Sequence, residues 1–134
     1  MNYNINDQKF INSEIYQQFL TDNPKEGYLR IRAYAANQAI PINNLKIRVV
    51  KNIGKDTITF FEGYTNDSGI IPRIILPAPI LNQDDLIEPK STSYDIIATY
   101  EPDNITKIFK ILIYENVRVI QNINIVPSMN MGGF

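Results

Sequence analysis

The sequence predicts an all-β fold: a seven-stranded antiparallel β-sandwich with Greek-key connections, preceded by one short helix. Three observations lead there. From Gly27 onward apolar and polar residues alternate with a period of two. The alternating stretches are short, and clusters of Gly, Pro, Asn and Asp separate them at intervals of roughly 8–12 residues. The apolar residues are mostly Ile, supported by Val and Tyr, whose branched and aromatic side chains pack well on a pleated surface.

Taken in order, residues 1–12 are Asn-rich and polar and are expected to form a flexible arm. Residues 13–22, SEIYQQFLTD, read as a helix capped by Ser13 or Asn12, with Glu14 suited to the positive end of the helix dipole. Ile15 pairs with Phe19, and Tyr16 with Leu20, at i,i+4 spacing. Asn23-Pro24 ends the helix, because the residue before proline avoids the helical region. So short a helix is marginal alone and has to dock, which makes Phe19 and Leu20 candidate contact residues.

The first strand covers 28–35, with Leu29, Ile31, Ala33 and Ala35 on one face and Arg30 and Arg32 on the other. Residues 45–49 alternate again, a turn holds Gly54, and 57–64 follow as the third strand. Asn66-Asp67-Ser68-Gly69 is a tight-turn signature with Gly69 at positive φ. Residues 70–76 form a strand that Pro72 assigns to a sheet edge. A polar loop at 77–92 leads to strands at 94–100, 105–114 and 117–126, and the tail is rich in Gly, Asn and Met. The division is an arm and helix over 1–26, a sandwich over 27–127 and a tail over 128–134.

The 134 residues match one domain. Hydrophobic residues at 44% against 20% charged residues exclude a chain that is disordered throughout. A net charge of −1 offers no basic field for a phosphate backbone, so no nucleic acid partner is expected. There is no Cys and no His. Thiol chemistry is therefore excluded, and the usual general base and commonest metal ligand are missing. No catalytic residue, cofactor or metal ligand is assigned, and the chain is read as non-enzymatic. The start MNYNINDQKF lacks the basic and apolar regions of a signal peptide. Apolar runs of about five residues are far short of a membrane span, so no membrane insertion is expected. The default location is the cytoplasm, with export by another route or release on lysis left open.

Several local features have a functional reading beside a plain one. Asn66 to Gly69 offers one carboxylate, Asp67, where calcium wants six or more oxygens, so a turn is the better reading. Asp84, Asp85 and Glu88 read as a solvated loop. Lys46, Lys107, Lys110 and Glu62 would supply a lysine–asparagine cross-link, but the three lysines are read at polar phases of their strands. Tyr28, Tyr34, Tyr64, Tyr94, Tyr100 and Tyr114 are either a sugar-stacking face or cover for the core rim. The ends carry apolar residues without a fold of their own: Tyr3, Ile5 and Phe10 in the arm, Met131 and Phe134 in the tail. Such residues seek a partner surface.

Three stretches carry a resemblance. They are Gly27 to Tyr34 followed by Gln38-Ala39-Ile40-Pro41-Ile42 and Leu45-Lys46-Ile47; Gly63 to Gly69 leading into Ile75-Leu76-Pro77-Ala78-Pro79; and Ser93-Tyr94-Asp95-Ile96 with the closing 117–127. In order and spacing they resemble transthyretin-like, or carboxypeptidase regulatory-like, domains. Phe19-Leu20-Thr21-Asp22-Asn23-Pro24-Lys25-Glu26-Gly27 is similar to the helix end of short transthyretin-like proteins of spore-forming clostridia. Two departures stand out: Tyr100-Glu101-Pro102-Asp103 replaces an aromatic-Gly-Tyr turn, and Leu45 stands where small residues are usual. The enzymatic branch, hydroxyisourate hydrolase, uses His and Arg and a Tyr-Arg-Gly-Ser ending, whereas this chain has no His and ends in Met131-Gly132-Gly133-Phe134.

The resemblance implies an accessory module and a spore or cell-surface setting. Together with the residues it leads to a structural or interaction protein. Sheet edges and terminal arms, with Tyr3, Ile5, Phe10, Phe19, Leu20, Met131 and Phe134, would join copies of the chain or bind another envelope or spore protein. The alternative is a carbohydrate- or peptidoglycan-binding accessory module using the Tyr-bearing face or the loop 77–92.

Overall fold

The computed structural model describes residues 13–36, 39–81 and 89–126. Its elements are the helix α1 (Glu14–Asp22) and eight strands: β1 (Lys25–Ala35), β2 (Ile40–Pro41), β3 (Lys46–Ile53), β4 (Asp56–Tyr64), β5 (Ile70–Ala78), β6 (Thr92–Tyr100), β7 (Ile105–Ile113) and β8 (Arg118–Asn124). The all-β sandwich with one leading helix is thus the observed architecture, and the two-residue β2 adds to the seven expected strands. Arm residues Tyr3, Ile5 and Phe10, tail residues Met131 and Phe134, and the acidic loop residues Asp84, Asp85 and Glu88 lie outside the described residues.

The period of two sets the packing. Leu29, Ile31 and Ala33 of β1 face Leu45, Ile47 and Val49 and, across the same core, Ile96, Ala98, Ile111 and Ile113; all are buried. One sheet has β1 at its centre. β5 and the short β2 pair with one edge of β1, and β8 with the other. The second sheet runs β4-β3-β6-β7. Pairings are antiparallel except for β8, which lies parallel to β1 in a register from Tyr28↔Arg118 to Tyr34↔Asn124. That direction departs from the antiparallel expectation. β7 runs opposite to β1, so the tight turn after it, which crosses to the other sheet, sends β8 along β1 in the same direction.

Two sheet edges are interrupted. Between Val49↔Phe61 and Val50↔Thr59 the extra residue Phe60 makes a bulge in β4. Between Leu29↔Ile74 and Ile31↔Ile71, Pro72 and Arg73 of β5 stand against the single residue Arg30, which places Pro72 in a bulge on an edge strand, as its missing N–H requires.

The helix is part of this core. Ser13 caps it, its hydroxyl accepting from the Tyr16 N–H at 3.2 Å. It docks through Tyr16 and Phe19, with Leu20 half-buried, while Ile15 is exposed. An aromatic chain carries the contact inward: Phe19 lies 5.6 Å from Phe60, and Phe60 lies 5.4 Å from Tyr94 in edge-on geometry. Buried Asn23 closes the helix. Its side-chain amide donates to the Phe19 carbonyl at 2.9 Å, and its side-chain oxygen accepts from the Thr92 hydroxyl. The helix end is thereby tied to β6.

At the other end the Asn66–Gly69 turn is held by Asn66 Oδ1, which accepts from Ser68 N–H at 2.9 Å and Ile70 N–H at 3.1 Å. Gly69 has φ +75°, and an added Cβ would collide with the Ala33 carbonyl. Two outcomes follow for stability. Phe19→Ala removes a buried aromatic and should cost about 3 kcal/mol, more than Leu20→Ala, in urea unfolding. Gly69→Ala should destabilise the fold more than Gly54→Ala, whose nearest neighbour is only the flexible tip of Ile15. Equal melting temperatures for the two glycine variants would contradict the packing described.

Candidate interaction surfaces

The chain from α1 enters β1 at Lys25, and β8 ends beside Tyr34, where Ile125 N–H donates to the Tyr34 carbonyl at 2.8 Å. Ser13 and Val126 therefore stand at opposite poles of the sandwich, separated by the length of β1. The near pole holds α1, the β3–β4 hairpin and the β7–β8 turn. The far pole holds β2, the Asn66–Gly69 turn and the β6–β7 turn.

Each sheet has two outer edges, and they are unequal. β4 is bulged, and β5 is bulged and carries Pro72 and Pro77. β7 and β8 have neither device: β7 runs Ile-Thr-Lys-Ile-Phe-Lys-Ile-Leu-Ile, paired with β6 alone, and β8 is paired with β1 alone. They are neighbours across the Tyr114–Val117 turn, so the two plain edges share one flank. Five of the nine exposed large hydrophobics among the described residues lie on or next to these strands: Ile108 (67% exposed), Leu112, Val117, Ile120 and Val126. β7 does carry Lys107 and Lys110, and β8 Arg118, but neither strand is broken by a bulge or a proline, and a regular edge offers N–H and C=O groups to another strand.

The lysines of this region are engaged at home. Lys110 pairs with Asp95, its cross-strand neighbour, at 3.6 Å. Lys107, expected at a polar phase, lies opposite Ala98 on the inward phase of β7. The sandwich is open there, and the ammonium reaches out to donate to the Asn124 carbonyl of β8 at 2.6 Å, bridging the two sheets. Lys46 lies beside Tyr64 on the outer face of β3, and Glu62 pairs with Arg48 at 3.4 Å. Among the described residues the buried polar side chains are Asn23 and Thr65, so the lysines and Glu62 are not assembled into an enclosed cross-linking site.

Lys51 is a residue the sequence reading passed over. It falls between Val49 and Ile53 on the inward phase of β3, opposite buried Ile58. Its ammonium donates to the Ser93 carbonyl at 2.8 Å and sits 5.7 Å from the centre of the Tyr94 ring. Burial pushes its pKa below the usual lysine range, nearby Lys110 lowers it further, and Asp95 opposes both. The one available signal was a lysine at the buried phase of an otherwise apolar alternation.

The tyrosines do not form one face. Tyr94 is buried, its hydroxyl donating to the Pro77 carbonyl at 2.6 Å. Tyr28 and Tyr34 lie on the outer face of β1 beneath Arg73 (4.3 Å) and Arg32 (5.3 Å). Tyr64 and Tyr100 are brought together at the far pole with Asn43, Asn44, Glu101 and Pro102 around one cleft. Among the described residues no group of three or more carboxylates is placed to hold a metal, and no helix is long and apolar enough to cross a membrane.

No family model matches the chain, and no curated protein matches it. Among solved structures it is similar to a minor pilin of the Gram-positive pathogen Streptococcus agalactiae, at 17% identity and a TM-score of 0.49, over 78% of this chain and 46% of that one. It is also similar to an (S)-allantoin synthase, at 13% identity and a TM-score of 0.46, over 81% and 45%. A 9R-lipoxygenase from Cyanothece PCC8801 aligns at 11% identity with a TM-score of 0.38, over 90% and 21%. The chain spans less than half the length of each. Likenesses this distant assign neither a family nor an activity.

Because native Lys51 releases its proton at a lower pH than it does unfolded, its contribution makes stability rise with pH between its native midpoint and the ordinary lysine range of about 10.4. Following its Cε resonance by NMR, Lys110→Gln should raise the midpoint and Asp95→Asn should lower it. No movement in either variant would show that the three charges are not coupled.

Proposed function

We propose that this chain is a non-catalytic interaction module that joins copies of itself, or a partner protein, by strand addition at the β7/β8 flank. The observation that carries this reading is the asymmetry of the edges: two are bulged or proline-bearing, and two adjacent ones are plain and lined by exposed Ile and Leu side chains. Strand addition supplies main-chain hydrogen bonds for affinity and side-chain pockets for specificity. The absence of His and Cys from the sequence supports a role without covalent catalysis.

The terminal segments fit the same reading. The described residues begin with Ser13 at the near pole and end with Val126 at the far pole, so the arm 1–12, with Tyr3, Ile5 and Phe10, and the tail, with Met131 and Phe134, are joined to opposite ends of the sandwich. Ends at opposite poles suit head-to-tail contacts, which are heterologous and build rings or filaments. On this reading 1–12 and 128–134 are connecting segments, and Phe19 and Leu20 hold the helix that anchors the arm. The resemblance to short transthyretin-like proteins of spore-forming clostridia supports a spore or envelope setting.

The test is size-exclusion chromatography with light scattering on the full chain. It should form a concentration-dependent oligomer, and Ile108→Lys with Ile120→Lys should reduce it to a monomer with an unchanged melting temperature, since both side chains are exposed. Thr57→Lys on the bulged edge β4 should leave the oligomer intact. A wild-type monomer at every concentration, or an oligomer insensitive to the flank variants, would refute the flank as the contact.

A further inference from the structure

The far-pole cleft is separate from the flank and is built differently. Its six lining residues come from three turns or strand ends: Asn43 and Asn44 before β3, Tyr64 at the end of β4, and Tyr100 at the end of β6 with Glu101 and Pro102 after it. Its volume, about 470 Å³, falls within the range of small-molecule sites, about 300–1,000 Å³.

The backbone around it is fixed from below by one buried side chain. The Thr65 hydroxyl donates to the Ile42 carbonyl at 2.6 Å and accepts from Leu45 N–H at 2.9 Å. Asn44 N–H donates to the Thr65 carbonyl at 3.0 Å, and Thr65 N–H to the Leu45 carbonyl at 3.1 Å. Asn44 is thereby held at φ +59°, in the left-handed region that asparagine tolerates. The opposite wall is pinned by Asn104, also left-handed, whose N–H donates to the Glu101 carbonyl at 3.1 Å. Rigid turns of this kind hold their side chains in place before any ligand arrives, which reduces the ordering cost of binding.

What those side chains offer is chemically specific. Tyr64 leaves half of its surface exposed at 52%, and Tyr100 is half-buried beside it. The Asn43 and Asn44 amides, the Glu101 carboxylate and the two phenol hydroxyls make no side-chain hydrogen bond within the described residues. An aromatic surface beside uncommitted amide donors and acceptors and a carboxylate matches a pyranose ring, which has one apolar C–H face and a rim of hydroxyls. The six lining residues include one carboxylate and no cation, although Lys46 lies beside Tyr64, so a neutral sugar is the better match. A peptide fits less well, because strand ends and not strand edges face the cleft, so ladder addition is not available there.

We infer that the cleft formed by Asn43, Asn44, Tyr64, Tyr100 and Glu101 is a binding site for a neutral oligosaccharide, with Tyr64 as the stacking platform and Glu101 and the two asparagines reading hydroxyl groups. The site does not rest on the assembly reading, and it would serve a monomer equally well.

The experiment is an NMR titration of the ¹⁵N-labelled full chain with cellobiose and with N,N′-diacetylchitobiose. At least one disaccharide should give saturable amide shifts confined to the turns at 43–44 and 100–104, with a Kd of about 1 mM. Tyr64→Ala and Glu101→Gln should each weaken that binding by about tenfold or more. Tyr28→Ala should leave it unchanged, and all three variants should keep the wild-type amide spectrum elsewhere. The inference is overturned if neither disaccharide gives saturable shifts, or if the shifts fall on the Tyr28 and Tyr34 face. It is equally overturned if Tyr64→Ala binds as the wild type does, or if a proline-rich peptide saturates the cleft in place of both sugars.

Discussion

The rest of the structure depends on β1 being paired along both of its edges. One edge holds β5 and then β2; the other holds β8 in parallel. Its inward residues Leu29, Ile31 and Ala33 have no exposed surface at all, so the strand is both the spine of one sheet and the floor of the core. Parallel neighbours cannot be joined by a tight hairpin and need a long crossover. Here the crossover is nearly the whole domain, from β2 to β7. The first and last strands are therefore neighbours across nearly the whole length of the domain.

That closure has a consequence for the surface. Placing β8 against β1 brings the last strand of one sheet next to the last strand of the other, because only the Tyr114–Val117 turn separates β8 from β7. The core is sealed on this side mainly by side chains, with the Lys107–Asn124 hydrogen bond crossing between the sheets. On the opposite side, bulges and prolines twist β4 and β5 away from further pairing. One flank is thus protected and the other plain. One wall of the cleft at the far pole depends on a different feature, the Thr65 hydroxyl that ties the end of β4 to Ile42 and Leu45.

Much of the fold was legible because period-two burial is local. Leu29, Ile31, Ala33, Leu45, Ile47 and Val49 could be assigned to the core from their neighbours alone, and Asn66–Gly69 could be assigned a turn because its backbone needs are met by its own side chains. Alternation says which face a residue occupies and nothing of which strand lies beside it, so the parallel β8 was hidden. A one-residue bulge reverses the phase without changing composition, which is why Phe60 and Phe61 were indistinguishable in sequence. Ile15 matched the helical spacing as well as Tyr16 did, but the aromatic contact to Phe60 decided which face docks. Lys51 and Lys107 ran the other way: polar residues at inward phases, tolerated where the sandwich ends and a carbonyl is within reach. Tyr64 and Tyr100 stood among the candidate stacking residues, but their meeting with Asn43, Asn44 and Glu101 could not be read, since these residues come together only where three strand ends converge.

Pairing with another strand at the β7/β8 flank is the proposal on which the assembly reading turns. Hydrogen exchange measured across a range of protein concentrations tests it most directly, because it reports main-chain pairing strand by strand. Pairing at that flank should give the amides of β7 and β8 added protection as concentration rises, while those of β4 and β5 stay as they were and those of β1 are slowest throughout. Protection gained at β4 or β5 in their place, or no change on β7 and β8 at any concentration, would contradict it.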